Sequence, residues 1–421
     1  MKRLRIICYP LLITLLIFSC TPAEQTGFYT TDTNEALISA LDGVMESQIE
    51  MGRIAGGVVM ISQGDRIIAD KAWGWKNREE AELMETHHLF RIASMTKAIT
   101  SAAILQLYEE GKLSPDDPLE LYIPEFADPV VLTSFDAETG AYETRPASGS
   151  ITIHQLLTHT SGIAYGFTNR TFGRIYGEAG VPDLGSEAEL TIEETMAILG
   201  GLPLAHDPGA RYTYGLSTDV LGRVVEVASG MSLSEYFSSH IFEPLGMQDI
   251  GFYLPGREAD LTRLYTIQDS TIVAYPEGRP GMMGPDFLVS GAMTYYSGGA
   301  GLTSSTADYH TFLSAIHQGG AFNGKRILQE STVAMMTQNQ FGDFDLGGNK
   351  FGYCLMITTE EARAEGKRAA GSLSWGGAFQ TTYWIDPKHD LIVVLMTQVI
   401  PPLGQSEFYD RFERAIYGVI D

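Results

Sequence analysis

The sequence predicts an α+β fold: an antiparallel sheet built from both ends of the chain and flanked by helices, with a largely helical region inserted between the two halves. Three observations predict it. Runs rich in β-branched residues cluster near residues 57–69 and 379–396. An amphipathic helical pattern precedes the first of these runs. Between about residues 112 and 299 the strand signals fade, and helical patterns alternate with Pro- and Gly-rich loops.

Taken in order, Glu35 to Met51 places apolar residues at Leu37, Leu41, Val44, Met45 and Ile49, the spacing of one helix face. The runs Gly57 to Ile61 and Arg66 to Ala69 are joined at Gln63-Gly64-Asp65, as in a hairpin. A long helical pattern starts near Ser94 and runs through Ala102, Ile104, Leu105 and Leu107 to Gly111, a C-terminal cap. Thr191 with Glu194 forms a capping-box signature for a short helix. At the far end, Phe379 to Ile385, a turn at 386–390 and Leu391 to Met396 read as a second antiparallel hairpin. The division that follows is an α/β part at 35–111 and 300–420, with the helical part at 112–299.

The first 19 residues set Lys2, Arg3 and Arg5 before an apolar run, the layout of a bacterial export signal to be excluded from the folded domain. The run Ile17-Phe18-Ser19-Cys20 resembles a lipobox, so Cys20 is expected to carry a lipid anchor after cleavage, with residues 20–34 as a linker. The alternatives are a plain cleaved signal and an uncleaved anchor, the latter disfavoured because the apolar run is short of the ~20 residues that span a bilayer. The expected location is the bacterial cell envelope, facing the periplasm or cell surface, with membrane contact only through that anchor. Of three cysteines, only Cys354 then lies in the folded body, which excludes an internal disulfide. The formal net charge of −24 becomes more negative once the signal is gone, which excludes nucleic-acid binding.

Ser94-Met95-Thr96-Lys97 puts a hydroxyl and an amine three residues apart, one turn apart on the same face of a starting helix. The helix N-terminus favours a developing alkoxide there. A second element, Tyr212-Thr213-Tyr214-Gly215-Leu216-Ser217, immediately precedes another helical pattern and supplies a tyrosine able to share the proton. A free lysine has a pKa of ~10.4, so only about one in 10³ is neutral at pH 7. Either burial lowers that value, or Lys97 stays charged and stabilises a Tyr214 phenolate; the sequence leaves both open. A third element, Ser374-Trp375-Gly376-Gly377-Ala378, leads into the last hairpin, and its glycines let backbone approach a ligand. If that edge faces Ser94, the amides of Ser94 and Ala378 form an oxyanion hole.

These three motifs, in this order, resemble those of serine β-lactamases and penicillin-binding proteins. The chain is similar to the β-lactamase-related family over about residues 35–420, most of all to class C β-lactamases and the family VIII carboxylesterases. The stretches Leu156-Leu157-Thr158-His159-Thr160-Ser161-Gly162 and Asp219-Val220-Leu221-Gly222 share in the likeness. The resemblance implies a β-lactamase/transpeptidase-like fold, Ser94 as acylated nucleophile, Lys97 as its activating partner, Tyr214 as acid/base, and Trp375, Gly376 and Gly377 along the oxyanion strand. It implies ester hydrolysis, with amides second; β-lactamase, D-Ala-D-Ala carboxypeptidase or D-aminopeptidase activity is the alternative, as are acyl transfer to another alcohol and an envelope protein that binds without turnover.

Two departures bear on the substrate. Where β-lactamases carry an Asn two residues past the tyrosine, this chain has Leu216. Where they carry Lys-Thr-Gly, it has Trp375-Gly376-Gly377. The lost lysine is the cation that holds a substrate carboxylate, a contact of a few kcal/mol, so the swap favours neutral esters or amides. No G-x-S-x-G or H-E-x-x-H element is present. No metal and no cofactor are expected, His87-His88 reads as a surface turn, His159 as a loop-orienting residue, and Ser297 to Gly301 as a chain crossing back to a helix near Thr306.

Overall fold

The computed structural model describes residues 29–186, 188–276 and 292–420. The export signal, Cys20 and the linker as far as residue 28 lie outside these residues. The main sheet has nine strands. In chain order they are β1 (Thr30–Thr31), β2 (Gly56–Gln63), β3 (Arg66–Asn77), β4 (Glu82–Leu83), β5 (Lys350–Phe351), β6 (Met356–Ile357), β7 (Leu373–Gly377), β8 (Thr381–Asp386) and β9 (Leu391–Met396). Their spatial order is β1-β3-β2-β9-β8-β7-β6-β5, with β4 on β3. Apart from the parallel β1–β3 pair the neighbours are antiparallel. The two ends of the chain meet where β9 runs against β2, pairing Leu395 with Val59 and Val393 with Ile61.

Alternation along β9 explains why both faces of the sheet are covered. Leu391, Val393 and Leu395 point to one side, where Leu37 and Leu41 of the N-terminal helix (Glu35–Glu50) and Phe412 and Ile416 of the C-terminal helix (Gln405–Ile420) pack on them. Ile392, Val394 and Met396 point to the other side, into the larger core. That core surrounds the helix Thr96–Glu109, whose residues Thr96 to Leu107 are all buried. A helix enclosed on every side needs no polar stripe, which accounts for its apolar run.

The hairpin turn at Gly64 has φ +60, the left-handed value a glycine adopts without strain. The Thr191 capping box is formed in both directions and opens the helix Ile192–Gly200. The middle of the chain is less purely helical than its pattern suggested. Two antiparallel hairpins stand there, Val130–Phe135 with Tyr142–Pro146 and Tyr265–Gln268 with Thr271–Ala274. Residues 142–146 are exposed throughout, so no alternation of apolar and polar residues marked that strand.

Candidate active site

Ser94 sits in a single 3-10 turn, Ala93–Met95, that feeds the enclosed helix. The preceding residue, Ala93, holds φ +44, a left-handed conformation that costs a non-glycine residue energy and marks a turn over-determined by its surroundings. Tyr309 contributes by donating its hydroxyl to the Met95 carbonyl at 2.9 Å. Lys97, one turn on, is 1% exposed. Its Nζ lies 3.4 Å from Ser94 Oγ, 3.0 Å from Tyr165 Oη and 2.7 Å from the Gly299 carbonyl oxygen. The faces of Tyr165 and Tyr214 also surround it, with ring centroids 5.3 and 4.8 Å from Nζ.

Tyr214 arrives from the loop before the helix Ser217–Ser229, and its hydroxyl donates to Ser94 Oγ at 2.6 Å. The loop is pinned from behind. A Cβ on Gly215 would lie 2.1 Å from the Ile163 carbonyl oxygen, so only glycine lets the two segments pass. The Thr213 amide donates to the His159 carbonyl at 2.8 Å. His159 itself is fully buried, holds φ +54, and sets its ring centroid 4.9 Å from that of Tyr214 at a tilt of 57°. Burial, and secondarily the Lys97 charge, pushes its imidazole well below the usual range, so it is neutral at physiological pH. Neither ring nitrogen has a hydrogen-bond partner. His159 thus touches the tyrosine and its loop but not Ser94.

The strand β7 runs beside the Ser94 turn. A Cβ on Gly377 would stand 2.3 Å from the Ile92 carbonyl oxygen, which is why glycine is needed at this crossing. Gly376 meets the Thr381 carbonyl in the same way, at 2.7 Å. Ala378 follows at the exposed end of the strand. Trp375 is half-buried, 5.8 Å from the ring of Tyr214 and 5.4 Å from Phe351. The three sequence motifs therefore converge on one place. Leu216, by contrast, is fully buried in the core and offers the cleft nothing.

Three further residues belong to this site. Tyr165 is fully buried and receives the Lys97 hydrogen bond; burial, with help from Asp219 and Tyr214, holds its phenol well above its ordinary pKa. Asp219 is fully buried on the helix that follows Tyr214, and its Oδ1 accepts from Ser297 Oγ at 2.5 Å and from the Gly299 amide at 3.2 Å. Gly299 belongs to the turn read as a simple crossing, and its carbonyl grips Lys97. Asp219 carried a legible signal, an acid among apolar helix positions; Tyr165 and Gly299 carried none. Beyond them, Phe167 stacks on Tyr165 at 4.8 Å and is 59% exposed.

Among the described residues, no group of three or more His, Cys, Asp or Glu side chains could hold a metal ion. His87 is exposed as its turn predicted, but His88 is buried and its Nδ1 accepts from the Glu85 amide. What the arrangement offers chemically is a serine hydroxyl between a phenol and an amine, beside a glycine-lined strand edge.

The chain as a whole is similar to known proteins. The Beta-lactamase family profile matches residues 41–416. Protein Rv1367c of Mycobacterium tuberculosis (strain ATCC 25618 / H37Rv) is 33% identical over 390 residues, covering 86% of this chain and 91% of its own. Esterase EstB of Burkholderia gladioli is 31% identical over 375 residues, covering 86% and 90%. Among solved structures, EstCE1, a hydrolase with promiscuous acyltransferase activity, superposes with a TM-score of 0.78 at 27% identity, over 91% of this chain and 99% of that one. Profile, relatives and fold agree over nearly the whole described chain, and the protein belongs to the beta-lactamase family.

Proposed function

We propose that this protein is a serine hydrolase that cleaves carboxylic esters through an acyl-enzyme on Ser94. The observation that carries the reading is the 2.6 Å contact between Tyr214 and Ser94, with the buried Lys97 Nζ beside both. In the first half-reaction Ser94 Oγ forms a bond to the ester carbonyl carbon as its proton passes to the Tyr214–Lys97 pair. The carbonyl oxygen becomes an oxyanion held by the Ser94 and Ala378 amides. The carbon–alkoxide bond then breaks, and the departing alkoxide takes the proton back as an alcohol. In the second half-reaction water attacks the acyl carbon and gives a proton to the same pair; the bond from the acyl carbon to Ser94 Oγ then breaks, and Ser94 Oγ takes that proton back as the acid leaves.

The half-buried Trp375 and the exposed Phe167 favour an apolar, uncharged substrate over an anionic β-lactam. An alcohol in place of water in the second step gives transesterification, and the name of a 31% identical relative, Monacolin J acid methylbutanoyltransferase of Aspergillus terreus, favours testing for it. The test uses p-nitrophenyl acetate and butyrate beside a chromogenic cephalosporin, with the mature protein and Ser94→Ala. Ester turnover that vanishes in the variant, with little cephalosporin cleavage, supports the reading. Preferred cephalosporin cleavage replaces it with the β-lactamase alternative, and no turnover by either protein replaces it with a binding role.

The N-terminal sequence further supports export and lipid anchoring through Cys20 as part of this proposal. Mass spectrometry of the mature N-terminus in the native host and in Cys20→Ala tests it: a diacylated Cys20 supports anchoring, and an unmodified or uncleaved N-terminus rejects it.

A further inference from the structure

Around Lys97 Nζ stand three oxygens, those of Ser94, Tyr165 and Gly299. An ammonium can donate to all three, whereas a neutral amine must accept from the Ser94 or the Tyr165 hydroxyl while donating to the Gly299 carbonyl. A charge sealed from water at 1% exposure also needs a counter-charge. Asp219 lies on the far side of the Gly299 peptide: Lys97 donates to the Gly299 carbonyl, and the Gly299 amide donates to Asp219 Oδ1. Its second oxygen, Oδ2, is buried with no hydrogen-bond partner. A Cβ on Gly299 would stand 2.4 Å from that oxygen and 2.9 Å from Tyr165 Oη, so the carboxylate and the Tyr165 hydroxyl border the same side of Gly299.

The geometry points to Asp219 as a positioning residue, the buried counter-charge that, bridged through Gly299, keeps Lys97 an ammonium and leaves Tyr214 to take the Ser94 proton. This rests on the acyl-enzyme reading of Ser94. Of the other titratable groups around the pair, Asp183 acts on Tyr165 and Tyr295 rather than on Lys97, and four carry no charge. Tyr165, Tyr295 and Cys354 are held in their protonated forms by burial, and His159 is held neutral by burial. Burial also raises Asp219 itself, opposed by the Lys97 charge, the Ser297 hydroxyl and the Gly299 amide. With Lys97 Nζ over its ring, Tyr214 Oη, 2.6 Å from Ser94 Oγ, is the group placed to exchange a proton with the serine.

The test is the pH dependence of Ser94 phosphonylation by a fluorophosphonate probe, which needs no knowledge of the natural substrate. It is followed by mass spectrometry in the mature protein and in Asp219→Asn, an isosteric change that keeps an acceptor for Ser297 and Gly299. Removing a negative charge lowers the proton affinity of its neighbours. The wild-type rate is expected to fall on an alkaline limb once the site loses the proton it needs. In D219N that alkaline limb should move down by about 1–2 pH units, with an unchanged circular-dichroism spectrum.

A D219N rate lowered evenly across pH, with the limb in place, shows a structural role only and overturns the inference. Should D219N not fold, the wild-type profile decides: a rate that climbs through pH 7 and stays level to pH 10 means a neutral lysine base and rejects it. Absence of labelling at any pH removes the acyl-enzyme reading and this inference with it, whereas a labelled wild type with an unmoved limb removes the inference alone.

Discussion

Tyr214 Oη and Ser94 Oγ lie 2.6 Å apart although 120 residues separate them in sequence. Each is held by a different device. Ser94 stands on a turn locked between Ile92 and the enclosed helix, whereas Tyr214 leans on the ring of His159 and a glycine that lets its loop pass Ile163. The pairing is thus a product of tertiary packing, and it can be cut without disturbing either anchor. Tyr214→Phe keeps the ring contacts with His159, Tyr165 and Trp375 and removes only the hydroxyl. The expected loss is about 10²–10⁴ in kcat for p-nitrophenyl acetate with KM little altered, as for removal of one general acid–base group. Steady-state kinetics checks it, and a loss below about fivefold would remove Tyr214 from the proton path.

His159 provides a second prediction because it touches the proton path without joining it. Its nitrogens have no partner, and burial keeps the ring neutral. Its contribution is then shape. His159→Phe should retain activity within about tenfold, while His159→Ala removes the ring behind Tyr214 and should cost more activity along with about 1–3 kcal/mol of stability. With its pKa pushed below the usual 6.5, the imidazole stays neutral as pH falls through 6.5. No limb near that pH should therefore disappear in His159→Phe. A wild-type limb near pH 6.5 that vanishes in this variant would show the imidazole titrating and reject the shape-only role.

Asp386, at the end of β8, carries the clearest stability prediction. Its carboxylate is buried and accepts from the Ala369, Lys388 and His389 amides, His389 Nδ1 and Tyr417 Oη. Burial raises its pKa, but these donors and His389 outweigh burial and hold it below the ordinary 3.8. A depressed folded-state pKa contributes stability fully present above the unfolded value and lost as pH falls through the folded one. Asp386→Asn should cost about 2–4 kcal/mol at pH 7 in urea unfolding, and the gap from wild type should narrow as pH drops below about 4. A gap unchanged down to pH 2.5 would show that the charge is not what the amides and Tyr417 recognise.

Much of this fold was legible because its signals are local. Gly64 and the alternating runs beside it mark a hairpin within about 15 residues, Leu391 to Met396 is a strand by β-branched content alone, and Thr191 with Glu194 announces its helix through one backbone cap. The Val130–Phe135 hairpin carries no such signal because its partner strand is exposed throughout and Val131 bridges to Leu204, far along the chain. The same distinction divides the site. Ser94, Lys97, Tyr214 and the β7 glycines sit in recognisable spacings. Tyr165 and Gly299 are ordinary residues made special by what lies across from them: Gly299 meets Lys97 from 202 positions further along the chain. Asp219 was visible as an acid on an apolar face, yet its partners Ser297 and Gly299 are about 80 residues away and no spacing rule links them.

The last prediction concerns what the cleft admits. Trp375 occupies the position where a substrate-gripping lysine is expected in β-lactamases, and it is braced by Tyr214 and Phe351. A tryptophan face attracts apolar groups and gives a carboxylate nothing to bind. Trp375→Lys should lower kcat/KM for p-nitrophenyl butyrate by about tenfold and improve capture of the anionic cephalosporin relative to the ester, the scale of one charge-assisted contact. Phe167 tests the apolar side separately. Because it is 59% exposed and packs only its stacked face on Tyr165, Phe167→Ala should leave folding and p-nitrophenyl acetate turnover nearly unchanged. It should reduce kcat/KM for the longer acyl esters by about three- to tenfold, the loss of part of one buried aromatic contact. Equal losses on acetate and on long-chain esters would place Phe167 outside the substrate's apolar contacts and assign its ring to support of Tyr165 instead.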